Sequence, residues 1–123
     1  MPTFFRLFIA LAPFFFLTAA ETRTASAIGA LAINNCGAYG YSHNYNSFRA
    51  ARRRALAECR GDNCRIVTTI DGNCAAYATD HSRRCGAWGW GRAATRGRAR
   101  QIALDYCLEN GGRNCRVRVS VCD

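Results

Sequence analysis

Eight cysteines are the residues of this sequence whose type and spacing point most directly to chemistry. They are Cys36, Cys59, Cys64, Cys74, Cys85, Cys107, Cys115 and Cys122. An even number of cysteines in a short secreted chain is typical of a disulfide framework. Zinc binding is the alternative, but the sequence has no Cys-x-x-Cys pair, and its two histidines, His43 and His81, stand far apart. We therefore expect four disulfides, and neither a metal nor any other cofactor.

A nucleophile placed beside a general base would indicate a hydrolase. Ser42 precedes His43, and Asp71 or Asp80 would supply the third member of such a site. Neither histidine lies in a known catalytic motif, and cysteines held in disulfides do not act as nucleophiles. We therefore expect a protein that is not an enzyme, and we keep a small hydrolase as the lesser alternative.

The basic charge of the chain comes entirely from arginine. Lysine is absent, and 17 arginines against 8 acidic residues give a net charge of +9. Such an excess favours anionic partners, such as an anionic glycan, a lipid surface or an extracytoplasmic protein. The candidate anion-binding residues are Arg52, Arg53, Arg96 and Arg100. Because no nucleic-acid-binding motif accompanies them, nucleic acid is a disfavoured partner.

The first 27 residues have the pattern of a secretory signal peptide. A positive charge at Arg6 precedes a short apolar run, and Ala25-Ser26-Ala27 fits the small-residue rule for cleavage. Cleavage after Ala27 is expected, with cleavage after Ala20 as the alternative. No later segment has the length and hydrophobicity of a transmembrane helix. The sequence therefore predicts a secreted or periplasmic protein whose mature part is residues 28–123.

The mature part contains an internal repeat, visible as the same series of motifs occurring twice in the same order. The matching segments are residues 36–41 with 85–90, residues 55–59 with 103–107, and residues 64–67 with 115–118. The first pair reads Cys-Gly-Ala-Tyr-Gly-Tyr and Cys-Gly-Ala-Trp-Gly-Trp. We therefore interpret residues 28–73 and 74–123 as tandem copies of one structural unit.

Each copy contains one amphipathic helix. Ser47 and Thr95 stand at equivalent places and are suited to cap the first turn of each helix. The face predicted to be buried consists of Phe48, Ala51, Ala55 and Cys59 in the first copy and of Ala99, Ile102, Ala103 and Tyr106 in the second. Because these faces are rich in alanine, the helices should pack closely on the rest of the domain.

Strands are predicted on both sides of each helix. After the helices, Ile66, Thr68 and Ile70 alternate with other residues, as do Val117, Val119 and Val121. Before the helices, Tyr39 and Tyr41, or Trp88 and Trp90, project from one strand face, either as an aromatic surface or into the seam between the copies. The predicted fold is therefore α+β, a tandem duplication of a strand-strand-helix-strand unit that forms a single compact, disulfide-stapled domain.

These motifs together resemble a bacterial exported family catalogued as domain of unknown function 4189. The resemblance covers essentially all of the mature chain and rests on Ser47, Ala51, residues 55–59, Cys64, residues 74–78, the Trp-Gly-Trp-Gly stretch at residues 88–91, Cys107, Cys115 and Cys122. It implies an exported domain of one piece and brings no catalytic or binding residue with it. Cys36 and Cys85 look like additions to the usual pattern of this family.

The duplication also predicts how the cysteines pair. Cys59–Cys64 and Cys107–Cys115 would each join a helix end to the next strand, and Cys36–Cys85 and Cys74–Cys122 would pair across the copies. The function expected from all of this is an exported, small, disulfide-rich binding or interaction module whose ligand the sequence does not reveal. The alternative is a cationic factor that binds anionic envelope, glycan or host surfaces.

Overall fold

The computed structural model of the chain describes residues 27–123, together with residues 13, 14 and 19. The predicted signal peptide, residues 1–27, therefore lies almost entirely outside the described residues. Within the described residues, no helix has the length and apolar character needed to cross a membrane.

Each repeat forms two strands, a helix and a third strand, as the sequence predicts. The first repeat contains β1 (Ile28–Ile33), β2 (Tyr39–Tyr45), α1 (Phe48–Glu58) and β3 (Arg65–Asp71). The second contains β4 (Cys74–Asp80), β5 (Trp88–Ala93), α2 (Arg96–Glu109) and β6 (Cys115–Cys122). Both helices have the predicted caps, because the Ser47 hydroxyl accepts a hydrogen bond from Ala50 N and the Thr95 hydroxyl accepts one from Arg98 N.

The described residues fold into four layers. One antiparallel sheet has the strand order β2-β1-β3 and the other has the order β5-β4-β6. Helix α1 packs on the first sheet and α2 on the second, through alanines of both elements. The other faces of the two sheets pack against each other. The helices are therefore the outer layers, and they lie on opposite sides of the molecule.

An apolar layer, which we call the seam, lies between the two sheets. Its fully buried or nearly buried members are Leu31, Ile33 and Ile70 from the first repeat and Ala75, Tyr77 and Val121 from the second. Tyr77 crosses the seam, and its hydroxyl donates a hydrogen bond of 3.3 Å to the carbonyl oxygen of Asn34. Burial raises the pKa of Tyr77. Because both repeats supply this layer, neither repeat has a complete core alone.

The four aromatic residues predicted on one strand face of each copy, Tyr39, Tyr41, Trp88 and Trp90, do not share one environment. Tyr39, Trp88 and Trp90 are half-buried and pack against the seam. Tyr41 is 42% exposed and lies outside the seam cluster. It follows that the strand face is covered near Tyr39 and open to solvent near Tyr41.

Two aromatic residues predicted on the buried helix faces are exposed. Phe48 is 41% exposed and Tyr106 is 52% exposed, so both predictions are wrong. The reason is the very close approach of each helix to its sheet, where Gly40 lies under α1 and Gly89 under α2. Only small side chains, those of alanine and cysteine, fit into so narrow a space, and larger side chains extend past the edge of the sheet.

The alternation predicted for β3 is interrupted. Leu31 pairs with Thr68 and the next residue of β1, Ala32, pairs with Ile66, so Val67 is an extra residue that forms a bulge. Ile66 therefore packs towards helix α1, whereas Ile70 packs into the seam. The prediction that Ile66, Thr68 and Ile70 share one face is wrong for this reason.

The described residues contain four disulfides, in the pairs that the duplication predicts, and every cysteine is in one of them. One detail differs from the prediction. Cys74 and Cys122 are register partners on the neighbouring strands β4 and β6, so their disulfide lies within the second repeat. Among the four disulfides, Cys36–Cys85 is therefore the one that links the two repeats.

Candidate functional site

An open cavity lies beside strand β2 and helix α1, and we call it the polar groove. It has a volume of about 690 Å³. Its lining side chains include Tyr39, Tyr41, His43, Tyr45, Arg54, Glu58, Arg60 and Arg118. These come from three separate parts of the chain, since Arg118 belongs to β6 of the other repeat. The packing of the two repeats therefore adds Arg118 to a groove formed mainly by the first repeat.

One wall of the polar groove is aromatic. The rings of Tyr41 and His43 lie two residues apart on the exposed face of β2, with their centres 6.4 Å apart and their planes inclined by 17°. β2 is an edge strand, so the outward half of its backbone N–H and C=O groups has no neighbouring strand. This wall combines flat apolar rings with free hydrogen-bonding groups.

The rest of the polar groove is cationic. The Arg118 guanidinium lies 5.6 Å from the centre of the Tyr39 ring, within cation–π distance. Arg54 forms a salt bridge of 2.8 Å with Glu58. In the described residues neither Arg60 nor Arg118 has a carboxylate partner. The groove therefore carries an excess of positive charge beside its aromatic wall.

The equivalent position of the second repeat holds a different cavity, which we call the aromatic groove. It has a volume of about 530 Å³ between β5 and α2 and is lined by Trp88, Trp90, Arg92, Ile102, Tyr106 and Asn110, with glycine backbone between them. The repeat alignment places Ile102 where the first repeat has Arg54, and Tyr106 where it has Glu58. The two grooves thus share a scaffold but differ in charge.

The candidate anion-binding arginines are all exposed, but they do not form one surface. Arg52 and Arg53 lie on α1, with Arg49 and Leu56 at the spacing that places all four on one helix face. Arg96 and Arg100 lie on α2, on the opposite side of the molecule, and both donate hydrogen bonds to Ser120 of β6. A flat anionic surface therefore contacts one pair or the other.

Comparison with known proteins defines the family. A model described as "Domain of unknown function (DUF4189)" matches residues 28–122, which span the whole described fold. The chain belongs to the DUF4189 family. The DUF4189 fold is also similar to the NMR structure of Rv1813c from Mycobacterium tuberculosis, with a TM-score of 0.56 and 18% identity over 100% of this chain and 97% of that one. No curated protein matches the sequence.

The residues considered for hydrolysis are not brought together in this DUF4189 domain. Ser42 and His43 are neighbours on a strand, so their side chains point to opposite faces. Ser42 is buried and its hydroxyl donates a hydrogen bond of 2.6 Å to the carbonyl oxygen of Ala51, whereas His43 is exposed in the polar groove. No group of three His, Cys, Asp or Glu side chains is placed to hold a metal ion within the described part of the chain.

Asp80 instead organises two loops of the DUF4189 domain. Asp80 is buried, and its carboxylate accepts hydrogen bonds from the Ser82 backbone and hydroxyl at 2.8 and 2.6 Å, and from Arg113 N and Asn114 N at 3.2 and 3.3 Å. The Ser82 bonds, followed by the other backbone donors, lower the pKa of Asp80 from 3.8 to about 2. Through these hydrogen bonds Asp80 stabilises the loop that carries Cys85.

We expect the substitution Asp80→Asn to reveal this role as a pH dependence of stability. The pKa of Asp80 is lower in the folded state than in the unfolded state, so the folded state prefers the ionised form. The stabilisation is therefore complete above about pH 4 and disappears as the pH falls towards about 2. Thermal melts from pH 2 to 6 should show a wild-type advantage over Asp80→Asn that shrinks below pH 4. A constant difference across this range would contradict the assignment.

The groove residues missed by the sequence prediction are Arg54, Arg60 and Arg118. Their proximity depends on how the two sheets stack, which the local patterns do not specify. One signal was nevertheless present in the repeat, because Arg54 and Glu58 in the first copy replace the apolar Ile102 and Tyr106 of the second. Since both copies fold in the same way, the charged residues present in only one of them are not needed for folding. Such residues indicate a surface with another role.

Proposed function

We propose that this DUF4189 domain is a non-enzymatic extracytoplasmic binding module that attaches to anionic surfaces through the exposed face of α1. The observation that carries the proposal is the composition of this face. Arg49, Arg52 and Arg53 lie beside Leu56, which is 39% exposed, and Phe48, which is 41% exposed, starts the same helix. Arginines with apolar side chains between them suit the boundary between anionic lipid headgroups and acyl chains.

The face of α2 is less suited to this role. The repeat alignment places Gly97 and Gln101 where α1 has Arg49 and Arg53. Arg96 and Arg100 are drawn towards β6 by their hydrogen bonds to Ser120, the shortest of which is 2.7 Å. These bonds would have to break before the two guanidinium groups could turn fully outwards, so α1 is the expected contact.

The disulfides support an extracytoplasmic location. Four disulfides in a domain this small are typical of proteins that fold in an oxidising compartment. The predicted signal peptide would deliver the chain to the periplasm or the medium. Either place exposes it to anionic lipid and glycan surfaces.

The test is sedimentation of the purified protein with vesicles of phosphatidylcholine containing phosphatidylglycerol, across a salt series. At about 1 kcal/mol for each arginine near the surface, the triple variant Arg49→Gln, Arg52→Gln, Arg53→Gln should bind about 100-fold more weakly. Binding should also weaken as salt rises, since the screening length falls to about 8 Å at physiological ionic strength.

The matched control removes the same charge from the other helix, as Arg96→Gln, Arg98→Gln, Arg100→Gln. This variant should retain most of the binding. If the wild type does not bind these vesicles, or if the two triple variants lose binding equally, the α1 face is not the attachment site. Equal binding to vesicles of phosphatidylcholine alone would show that the arginines are not responsible.

A further inference from the structure

The polar groove has the composition of a binding site for an acidic sugar chain, which goes beyond surface attachment through α1. We propose that it binds a short saccharide bearing carboxylate or sulfate groups. The sugar rings would lie on the tyrosines of β2, and the acidic groups would bind Arg60 and Arg118. Its volume of about 690 Å³ is in the range of small-ligand sites in proteins.

The charge of the groove selects an anion. Glu58 is already paired with Arg54 at 2.8 Å, which leaves Arg60 and Arg118 as unneutralised cations of this groove in the described residues. Arg118 is also positioned, because it lies over the Tyr39 ring and is 3.5 Å from the Thr79 hydroxyl. A guanidinium group binds two oxygens of one acidic group at once, so a carboxylate or sulfate satisfies it well.

The aromatic wall selects a sugar ring beside the anion. Tyr41 is 42% exposed, and its ring is nearly parallel to the exposed His43 ring. Such rings offer flat apolar faces on which the C–H face of a sugar packs. The open edge of β2 adds backbone donors and acceptors for the hydroxyl groups of the sugar.

Single-stranded nucleic acid is the competing ligand, because it also combines rings with negative charge. Glu58 decides between the two. Its carboxylate can accept hydrogen bonds from the hydroxyl groups of a sugar, whereas a DNA backbone has no hydroxyl group to donate one. The groove therefore fits an acidic saccharide better than DNA.

The experiment is calorimetric titration of the purified protein with three saccharides. Trigalacturonate carries carboxylates, a heparin-derived hexasaccharide carries sulfates as well, and maltotriose is neutral. We expect binding of at least one acidic probe and none of maltotriose. The acidic probe that binds more tightly identifies the preferred acidic group, and failure of both acidic probes overturns the proposal.

Matched variants separate the groove from general charge. Arg60→Gln with Arg118→Gln should weaken binding about 100-fold, since each of the two charged hydrogen bonds is worth about tenfold. Arg98→Gln with Arg113→Gln removes equal charge from exposed positions elsewhere and should leave the affinity nearly unchanged. Tyr41→Ala should also weaken binding, whereas Tyr106→Ala, at an exposed ring of the aromatic groove, should not.

The remaining outcomes are equally decisive. If the two double-arginine variants lose saccharide affinity equally, the binding is non-specific charge attraction and the proposed site is wrong. If a ten-residue thymidine oligonucleotide binds more tightly than the acidic saccharides, the ligand of the groove is nucleic acid and the saccharide proposal is wrong. The α1 variant Arg49→Gln, Arg52→Gln, Arg53→Gln should still bind the saccharide, so the two proposals fail independently. Circular dichroism spectra of all variants should match that of the wild type, because the substituted side chains are exposed and lie outside the core.

Discussion

Reduction of the disulfides is expected to unfold this domain at room temperature. Cys36–Cys85 and Cys74–Cys122 join residues 49 and 48 positions apart, whereas Cys59–Cys64 and Cys107–Cys115 join residues 5 and 8 apart. On the chain-entropy model, each long loop contributes about 4 kcal/mol and each short one about 2–3 kcal/mol. A domain of this size has a total free energy of unfolding of roughly 5–15 kcal/mol, so little stability remains after reduction.

Thermal melts followed by circular dichroism, with and without a phosphine reductant, measure this effect. Paired cysteine-to-alanine variants provide the internal comparison. Removal of Cys74–Cys122 should lower the melting temperature more than removal of Cys59–Cys64, because the first closes the much longer loop. An unchanged melting temperature after verified reduction would show that the seam alone holds the fold, and the opposite ranking of the two variants would contradict the loop argument.

A single added methyl group between helix and sheet is expected to be severely destabilising. A Cβ at position 89 would lie 2.5 Å from the carbonyl oxygen of Ala103 and 2.6 Å from Cys107 N, both of which are helix backbone. A Cβ at Gly40 would meet the backbone of Ala55 and Cys59 in the same way. Because backbone cannot turn aside as a side chain can, Gly89→Ala should destabilise by about 1–3 kcal/mol or more.

The same substitution at Gly97 provides the control. This glycine lies in the first turn of α2, and a Cβ there would meet nothing within 4 Å. Alanine favours the helix over glycine, so Gly97→Ala should leave stability unchanged or raise it by up to about 1 kcal/mol. Chemical denaturation measures both variants. If Gly89→Ala were as stable as Gly97→Ala, the close approach of α2 to β5 would be refuted.

The local structure of this domain is readable from the sequence because its signals are local. Ser47 and Thr95 cap helices, and the alanines spaced along each helix mark its buried face. The repeat shows which cysteines occupy equivalent places. The caps and the buried helix faces depend on residues only a few positions apart. The cysteine pairs are predictable because the same motif occurs in both copies.

The rest depends on contacts between distant residues. The bulge at Val67 arises from the pairing of β3 with β1, and no pattern within residues 65–71 predicts it. The exposure of Phe48 and Tyr106 follows from how closely the helices approach the sheets, which is a property of the packed layers. Arg60 and Arg118 meet only when the sheets stack face to face, so the polar groove has no sequence motif.

The shared seam has a consequence for the history of the chain. One repeat alone would expose the buried faces of Leu31, Ile33 and Ile70 to water, so it would pair with a second copy through that surface. The present chain places two such units, packed through the seam, in one polypeptide. In a dimer of identical subunits every substitution appears twice, whereas fusion lets each half change alone. Arg54 in one groove and Ile102 at its counterpart are the kind of divergence that only the fused gene allows.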